Sequence, residues 1–274
     1  MDATLPKVDT HEVRQNELLS VLLAGIGDRI AGHILRVDLP AGAILHPAQN
    51  ADACALFPND ALISVLSVIE SGQAAEIGIV GSEGVVGLEG LIGWRNPYLH
   101  AKVQCAGTAF RVPMRLLREA FNCRDDMRWQ ILRYMQSMIA QMGQAVICNR
   151  YHSIEQQLCR KLLMSSDRLG GNRLALTQST IAELLGVRRE GVTAAAGELR
   201  RLGVIDYSRG KIVILDRAEL DARSCECYAI IKAQCDRHWP AGSVLTGRSH
   251  EPPSRVTLGH PHRCADPTRV ASSW

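Results

Sequence analysis

The clearest pattern of hydrophobic and polar positions in this chain lies at 176–202, LTQSTIAELLGVRREGVTAAAGELRRL. Its spacing predicts two helices joined at Gly186, which can adopt the left-handed conformation that ends a helix. Thr177 is the expected N-cap of the first helix, because its hydroxyl can accept an otherwise unpaired backbone N–H. Four apolar residues share one face of the second helix: Val192, Ala195, Ala196 and Leu199. The segment therefore predicts a helix-turn-helix.

The opposite face of the second predicted helix carries small, polar and charged side chains. Such a face suits entry into the major groove of DNA, where arginine can pair with guanine and glutamate can accept a hydrogen bond from cytosine. An ordinary helical hairpin with a solvated basic face is the alternative interpretation.

Two short strands are predicted after this motif, at 204–207 and 211–215, with Ser208-Arg209-Gly210 as the turn between them. A glycine in that turn favours the positive φ of a tight hairpin. A basic hairpin after a helix-turn-helix predicts a winged helix with cations near phosphates. The residues predicted to contact DNA are Thr177, Gln178, Arg188, Arg189, Glu190, Thr193, Arg200, Arg201, Arg209 and Lys211.

The segment 33–113 has a different pattern, in which frequent glycines separate short β-branched and apolar runs. Strands are predicted at 33–39, 62–69, 75–80 and 103–112. Short strands with glycine turns indicate a small antiparallel roll or barrel.

A helical pattern then extends from 124 to about 166, with a separate helix expected to begin at His152. Its apolar stripe can pack on the roll and on a second copy of the chain. A core helix of a single chain is the alternative. A last helix is predicted over 216–235, and 238–274 is expected to be disordered because it has little periodicity. The residues predicted at a dimer interface are Ile131, Met135, Met138 and Met142.

The segment 176–217, LTQSTIAELLGVRREGVTAAAGELRRLGVIDYSRGKIVILDR, resembles the DNA-binding domain of the Crp/Fnr transcription regulators. The resemblance implies an α+β fold in four parts. These are an antiparallel β-roll sensor domain at 17–123, a dimerisation helix at 124–151, a winged helix-turn-helix at 152–237 and a disordered tail at 238–274.

The resemblance extends to the start of the second motif helix. In the family this helix carries an Arg-Glu pair and another arginine four residues after the glutamate. Arg189 and Glu190 match the pair, but Ala194 stands at the later position. DNA binding is therefore implied, whereas the family's usual target sequence is not.

The function implied by the resemblance is a homodimeric transcription regulator that reads a palindromic site through helix 187–202 and is gated by a signal in the β-roll. Its implied partners are double-stranded DNA, a second copy of the chain and, as a candidate, RNA polymerase. An adaptor or ligand-binding module with the same fold is one alternative. An enzyme with an appended winged helix is another, but the sequence shows no catalytic motif, and we expect no enzymatic activity.

Composition and charge change this picture little. The formal net charge is +3, so attraction to DNA must be local. The chain has 9 cysteines without the spacing of a disulfide framework, which favours reduced thiols and a cytoplasmic location. The apolar run at 18–26 is too short to cross a bilayer, and no membrane partner is expected.

The predicted roll lacks the residues that bind a cyclic nucleotide in the family. Family members that bind one carry a Gly-Glu pair for the ribose and an Arg-Ser pair for the phosphate. Here 87–90 reads Gly-Leu-Glu-Gly, and the Arg-Ser pair is missing around 99–101. A cyclic phosphate would lose its charge-assisted partner, so cyclic AMP is not expected to bind and the effector is unassigned.

The close pair Cys225 and Cys227 is a weak metal signal, because a structural zinc site requires about four ligands. Completion by Cys235 and His238 stays open as an alternative. Oxygen-sensing family members hold an iron–sulfur cluster through an N-terminal cysteine group, and no cysteine precedes Cys54. We predict no metal and no cofactor.

Overall fold

A computed structural model describes residues 13, 15–26, 32–45, 53–93 and 96–238. The remainder of the predicted disordered tail, 239–274, lies outside these residues. The first complete element within these residues is the short helix α1 (Glu17–Ile26), which precedes seven strands and one short 3-10 helix (Leu88–Leu91). The strands are β1 (Leu35–Leu39), β2 (Ile44–Leu45), β3 (Cys54–Pro58), β4 (Leu62–Val68), β5 (Ala74–Val80), β6 (Leu99–Cys105) and β7 (Gly107–Pro113).

These strands form two antiparallel sheets, ordered β1-β7-β3 and β2-β6-β4-β5. Phe57 and Phe110 face each other in register across β3 and β7, and both are fully buried. The predicted antiparallel roll is therefore confirmed.

The prediction of one strand at 103–112 is wrong, because the chain leaves β6 after Cys105 and enters β7 at Gly107. A Cβ on Gly107 would lie 2.5 Å from the backbone nitrogen of Ala61. The break between β6 and β7 thus lies where the backbone at Gly107 is too close to Ala61 to leave room for a side chain.

Three helices follow the roll: α2 (Met114–Cys123), α3 (Asp125–Tyr151) and α4 (Ile154–Leu169). The predicted break near His152 is present. Ser153 caps α4 by accepting a hydrogen bond from the backbone nitrogen of Gln156, and the Gln156 side-chain oxygen in turn accepts one from the backbone nitrogen of Ser153.

One face of α3 packs on the roll. Tyr134 donates a hydrogen bond to the Val85 carbonyl at 2.8 Å, and Gln141 accepts one from the Ile79 backbone at 2.7 Å. The buried residues of α3 are Met127, Ile131, Tyr134, Ser137, Gln141, Ala145 and Cys148.

The last part of the chain has the elements of a winged helix. The elements are β8 (Arg173–Leu174), α5 (Gln178–Leu185), α6 (Arg189–Arg201), β9 (Ile205–Ser208) and β10 (Lys211–Ile214). The three strands form a sheet, ordered β8-β10-β9, which packs beside the helix pair.

The single C-terminal helix predicted over 216–235 is wrong, since the structure has α7 (Arg217–Ala222) and α8 (Glu226–His238). Asp216 caps α7 by accepting a hydrogen bond from the Glu219 backbone at 2.9 Å. The break between the helices places Cys225 and Cys227 in the interior, where both are buried.

A buried polar cluster fixes α4 to the roll. Lys161 of α4, 1% exposed, forms an ion pair with Glu76 of β5. Gln104 of β6 accepts a hydrogen bond from Lys161 at 2.5 Å and donates one to Ser165 at 3.1 Å. Burial lowers the pKa of Lys161, and Glu76 opposes that shift.

Candidate nucleic-acid interface

The helix-turn-helix has the caps that the sequence predicts. The Thr177 hydroxyl accepts a hydrogen bond from the Thr180 backbone at 3.0 Å, and Gly186 ends α5 with φ of +67°. A Cβ on Gly186 would lie 3.3 Å from the Ala75 side chain, so the turn packs against β5. Four residues of α6 are buried in the domain core, as predicted: Val192, Ala195, Ala196 and Leu199.

The start of α6 exposes Arg188, Arg189 and Glu190 to solvent. Within the described part of the chain, neither Arg189 nor Glu190 forms an ion pair or a side-chain hydrogen bond. One turn later, Thr193 donates a hydrogen bond to Gln178 of α5 at 2.8 Å. The charged groups at the start of α6 are therefore accessible from solvent.

Two predicted DNA contacts at the other end of α6 already have acidic partners. Arg201 pairs with Glu198 at 2.6 Å, and Arg200 pairs with Asp206 at 3.3 Å. The hydrogen bond from Arg201 lowers the pKa of Glu198. A phosphate would have to compete with these carboxylates, so both arginines are weaker candidates than Arg189.

The wing lies beside the first motif helix. Arg209 and Gly210 form its two-residue turn, with φ of +48° and +78°, as a type I′ hairpin requires. A Cβ on Gly210 would lie 3.2 Å from Thr177. Arg209 and Lys211 are exposed. The structure therefore brings the wing cations next to the start of α5, which itself contacts α6 through Gln178.

The four residues predicted at a dimer interface divide between two faces of α3. Ile131 is fully buried inside its own chain, and a Cβ on Gly78 of the roll would lie 2.9 Å from Met138. Met135 is exposed and Met142 is half-buried on the outer side. Five apolar residues at alternating three- and four-residue spacing form that outer side, here called the α3 seam: Leu132, Met135, Ile139, Met142 and Val146.

A cavity of about 670 Å³ lies between the roll and α3. None of its described lining residues is Lys or Arg, whereas Glu89 and His100 are among them. A cyclic phosphate would therefore find no lysine or arginine there to pair with. Four seam residues form part of the wall: Leu132, Met135, Ile139 and Met142.

Cyclic AMP is expected not to bind this cavity. Titration calorimetry of the purified protein should give no saturable heat with cyclic AMP at micromolar concentrations. Stoichiometric binding with a low-micromolar Kd would contradict the prediction and would require a phosphate partner outside the lining described above.

The described cysteines differ in oxidation state. Cys123 is disulfide-bonded, so the expectation of uniformly reduced thiols is wrong for that residue. Seven others have free thiols: Cys54, Cys105, Cys148, Cys159, Cys225, Cys227 and Cys235.

None of the helices in the described segments is long and apolar enough to span a bilayer.

Comparison with known proteins identifies the C-terminal domain. Residues 156–223 match the family model of a Crp-like helix-turn-helix domain. No curated protein matches the chain significantly. The matched domain includes both motif helices and the wing, which confirms the helix-turn-helix prediction.

Two solved structures illustrate the overall fold that this chain shares with known proteins. FixK2 from Bradyrhizobium japonicum matches with a TM-score of 0.60 and 14% identity, over 70% of this chain and 98% of that chain. A CRP/FNR-family regulator from Thermus thermophilus matches with a TM-score of 0.57 and 22% identity, over 69% of this chain and 97% of that chain. The predicted α+β fold and the resemblance to Crp/Fnr regulators are confirmed.

Proposed function

We propose that this chain, which has the fold of the Crp/Fnr regulators and a Crp-like helix-turn-helix domain, is a sequence-specific transcription regulator that reads DNA as a homodimer. One observation carries the proposal: α6 buries its apolar face and exposes Arg188, Arg189 and Glu190 at its N-terminus. The N-terminal residues of a recognition helix are those that reach base edges in the major groove. The exposed wing cations lie where they can contact the flanking phosphates.

The proposed dimer is formed by the α3 seam. Two copies packed along this helix present two α6 helices, and a dimer of this type binds half-sites about 34 Å apart. A palindromic target follows from the two-fold symmetry. Contact with RNA polymerase and a cytoplasmic location stay predictions of the same proposal.

Gating is proposed to act through the cavity beside the seam. Because seam residues form part of its wall, a ligand in the cavity would contact the surface on which the second copy packs. Its apolar wall fits an uncharged apolar effector better than a nucleotide. Such a ligand changes the affinity for DNA only if it binds two arrangements of the dimer with different affinities. The size of the change is limited by that difference.

The proposal is tested by selecting binding sites from random double-stranded DNA at moderate salt. We expect enrichment of an inverted repeat with a half-site spacing of one DNA turn. A protein that is folded and dimeric but enriches no repeat would instead be an adaptor with this fold.

Arg189→Ala is expected to lose discrimination at one base pair of each half-site. A bidentate contact from arginine to guanine contributes about 1–3 kcal/mol of discrimination, and none of the described residues pairs with the Arg189 side chain. The matched control is Arg201→Ala, which removes an arginine paired with Glu198 at the far end of α6. If Arg189→Ala selects the wild-type motif unchanged, α6 does not read the sequence through this residue.

Arg209→Ala in the wing is expected to weaken binding to all sequences alike. A contact to phosphate carries no base information, and its loss should reduce the slope of log affinity against log salt by about one. Fluorescence anisotropy at several salt concentrations, with specific and random duplexes, measures both effects. A change confined to the specific duplex would indicate a base contact instead.

A further inference from the structure

Three cysteines and a histidine meet where the end of α3 approaches the start of α8. Cys148 lies in the last turn of α3 and His152 is the C-cap that follows this helix, whereas Cys225 and Cys227 lie at the start of α8. Their four candidate ligand atoms all lie within 4.8 Å of one another. The three cysteines are buried, and His152 is half-buried.

The spacing of these atoms fits a single tetrahedral zinc ion. With Zn–S bonds of about 2.3 Å and a Zn–N bond of about 2.0 Å, tetrahedral angles place two sulfurs about 3.8 Å apart and a sulfur and a nitrogen about 3.5 Å apart. The Sγ atoms of Cys148 and Cys225 are 3.6 Å apart, and Cys227 Sγ is 3.4 Å from His152 Nδ1. A four-iron cluster would hold its cysteine sulfurs much farther apart, because each binds a different iron atom.

The surroundings of the cluster are those of a metal site. His152 Nε2 lies 3.2 Å from a carboxylate oxygen of Glu226, which leaves Nδ1 directed toward the thiols. A ligating histidine commonly donates its other ring N–H to a carboxylate in this way. The Gln144 amide donates a hydrogen bond to Cys227 Sγ at 3.1 Å, which stabilises a thiolate.

The charge of a bound zinc complex would also suit its surroundings. Zinc bound by three thiolates and a neutral imidazole has a net charge of −1. The guanidinium of Arg160, 5% exposed, acts electrostatically on Cys148, and its Nε has no hydrogen-bond partner among the described residues. An anionic complex would compensate this buried cation.

We propose that Cys148, His152, Cys225 and Cys227 bind one structural Zn²⁺ ion. The expectation that Cys225 and Cys227 serve no metal is thereby revised, because their partners come from α3 rather than from Cys235 or His238. The ion would fasten α8 to the end of α3 at His152, which separates that helix from α4. Each thiol that binds releases its proton to solvent.

The test is metal analysis of the full chain purified under reducing conditions. We expect one equivalent of zinc per chain in the wild type and in Cys235→Ser, the matched control, which removes another α8 thiol. The double variant Cys225→Ser/Cys227→Ser should lose the metal. Glu226→Gln should weaken zinc affinity by about 10–100-fold, measured by competition with a chromophoric chelator.

Cobalt substitution of the wild type keeps the proposal testable even where a variant fails to fold. Co²⁺ bound at this site should show thiolate-to-metal charge-transfer bands and the intense visible absorption of tetrahedral coordination. A folded, reduced wild type that binds neither Zn²⁺ nor Co²⁺ stoichiometrically overturns the proposal. So does a double variant that retains a full equivalent of zinc.

Discussion

Ile139→Glu is expected to convert the proposed dimer into monomers. Ile139 is 59% exposed in the single chain and lies at the centre of the α3 seam. In a two-fold dimer the substitution would bury two like charges close together. An uncompensated buried charge costs several kcal/mol, so we expect the dimer Kd to rise by about 1,000-fold or more. Analytical ultracentrifugation over a concentration series measures this change.

The matched control for the seam is Gln136→Glu. Gln136 is an exposed polar residue on the same helix but outside the seam, so the variant adds the same charge without burying it. It should sediment as the wild type does. A wild type that is monomeric at micromolar concentration, or an Ile139→Glu protein that remains dimeric, would show that the seam is not the interface.

The helix-turn-helix could be predicted from the sequence because its determinants are local. Thr177 and Gly186 perform their capping roles within one turn of chain, and the apolar spacing of α6 identifies its buried face. Short-range signals of this kind depend little on the remainder of the fold.

The orientation of α3 could not be predicted in the same way. Apolar residues follow two adjacent faces of this helix, and periodicity alone does not say which face packs on the roll. The structure assigns Ile131 and Met138 to the roll and leaves Ile139 outside. The predicted interface thus combined residues from both faces.

The cysteine cluster depends on long-range packing. Cys148 and Cys225 are separated by 77 positions, and sequence spacing carries no signal at that distance. A single continuous helix over 216–235, as the sequence predicts, would also leave this cluster unformed. The break before Glu226 is what directs Cys225 and Cys227 toward α3.

Lys161→Met is expected to lower the free energy of unfolding by about 3–5 kcal/mol. The substitution preserves much of the side-chain volume but leaves the Glu76 carboxylate buried without its cation, and breaking one side of a buried ion pair has costs of this size. Urea denaturation measures the change. The second variant, Lys161→Met/Glu76→Leu, also removes the unpaired Glu76 carboxylate and should recover most of the lost stability.

The control is Lys102→Met, which breaks a second ion pair between the roll and the DNA-binding domain. Its partner Glu183 is 43% exposed, so water can solvate the remaining carboxylate, and the expected loss is about 0–1 kcal/mol. Both pairs join the same two parts of the molecule and differ in burial. If the two variants lose the same free energy of unfolding, burial does not determine the cost of breaking these ion pairs. A much larger loss from Lys161→Met would identify its buried pair as the main polar contact that holds α4 against the roll.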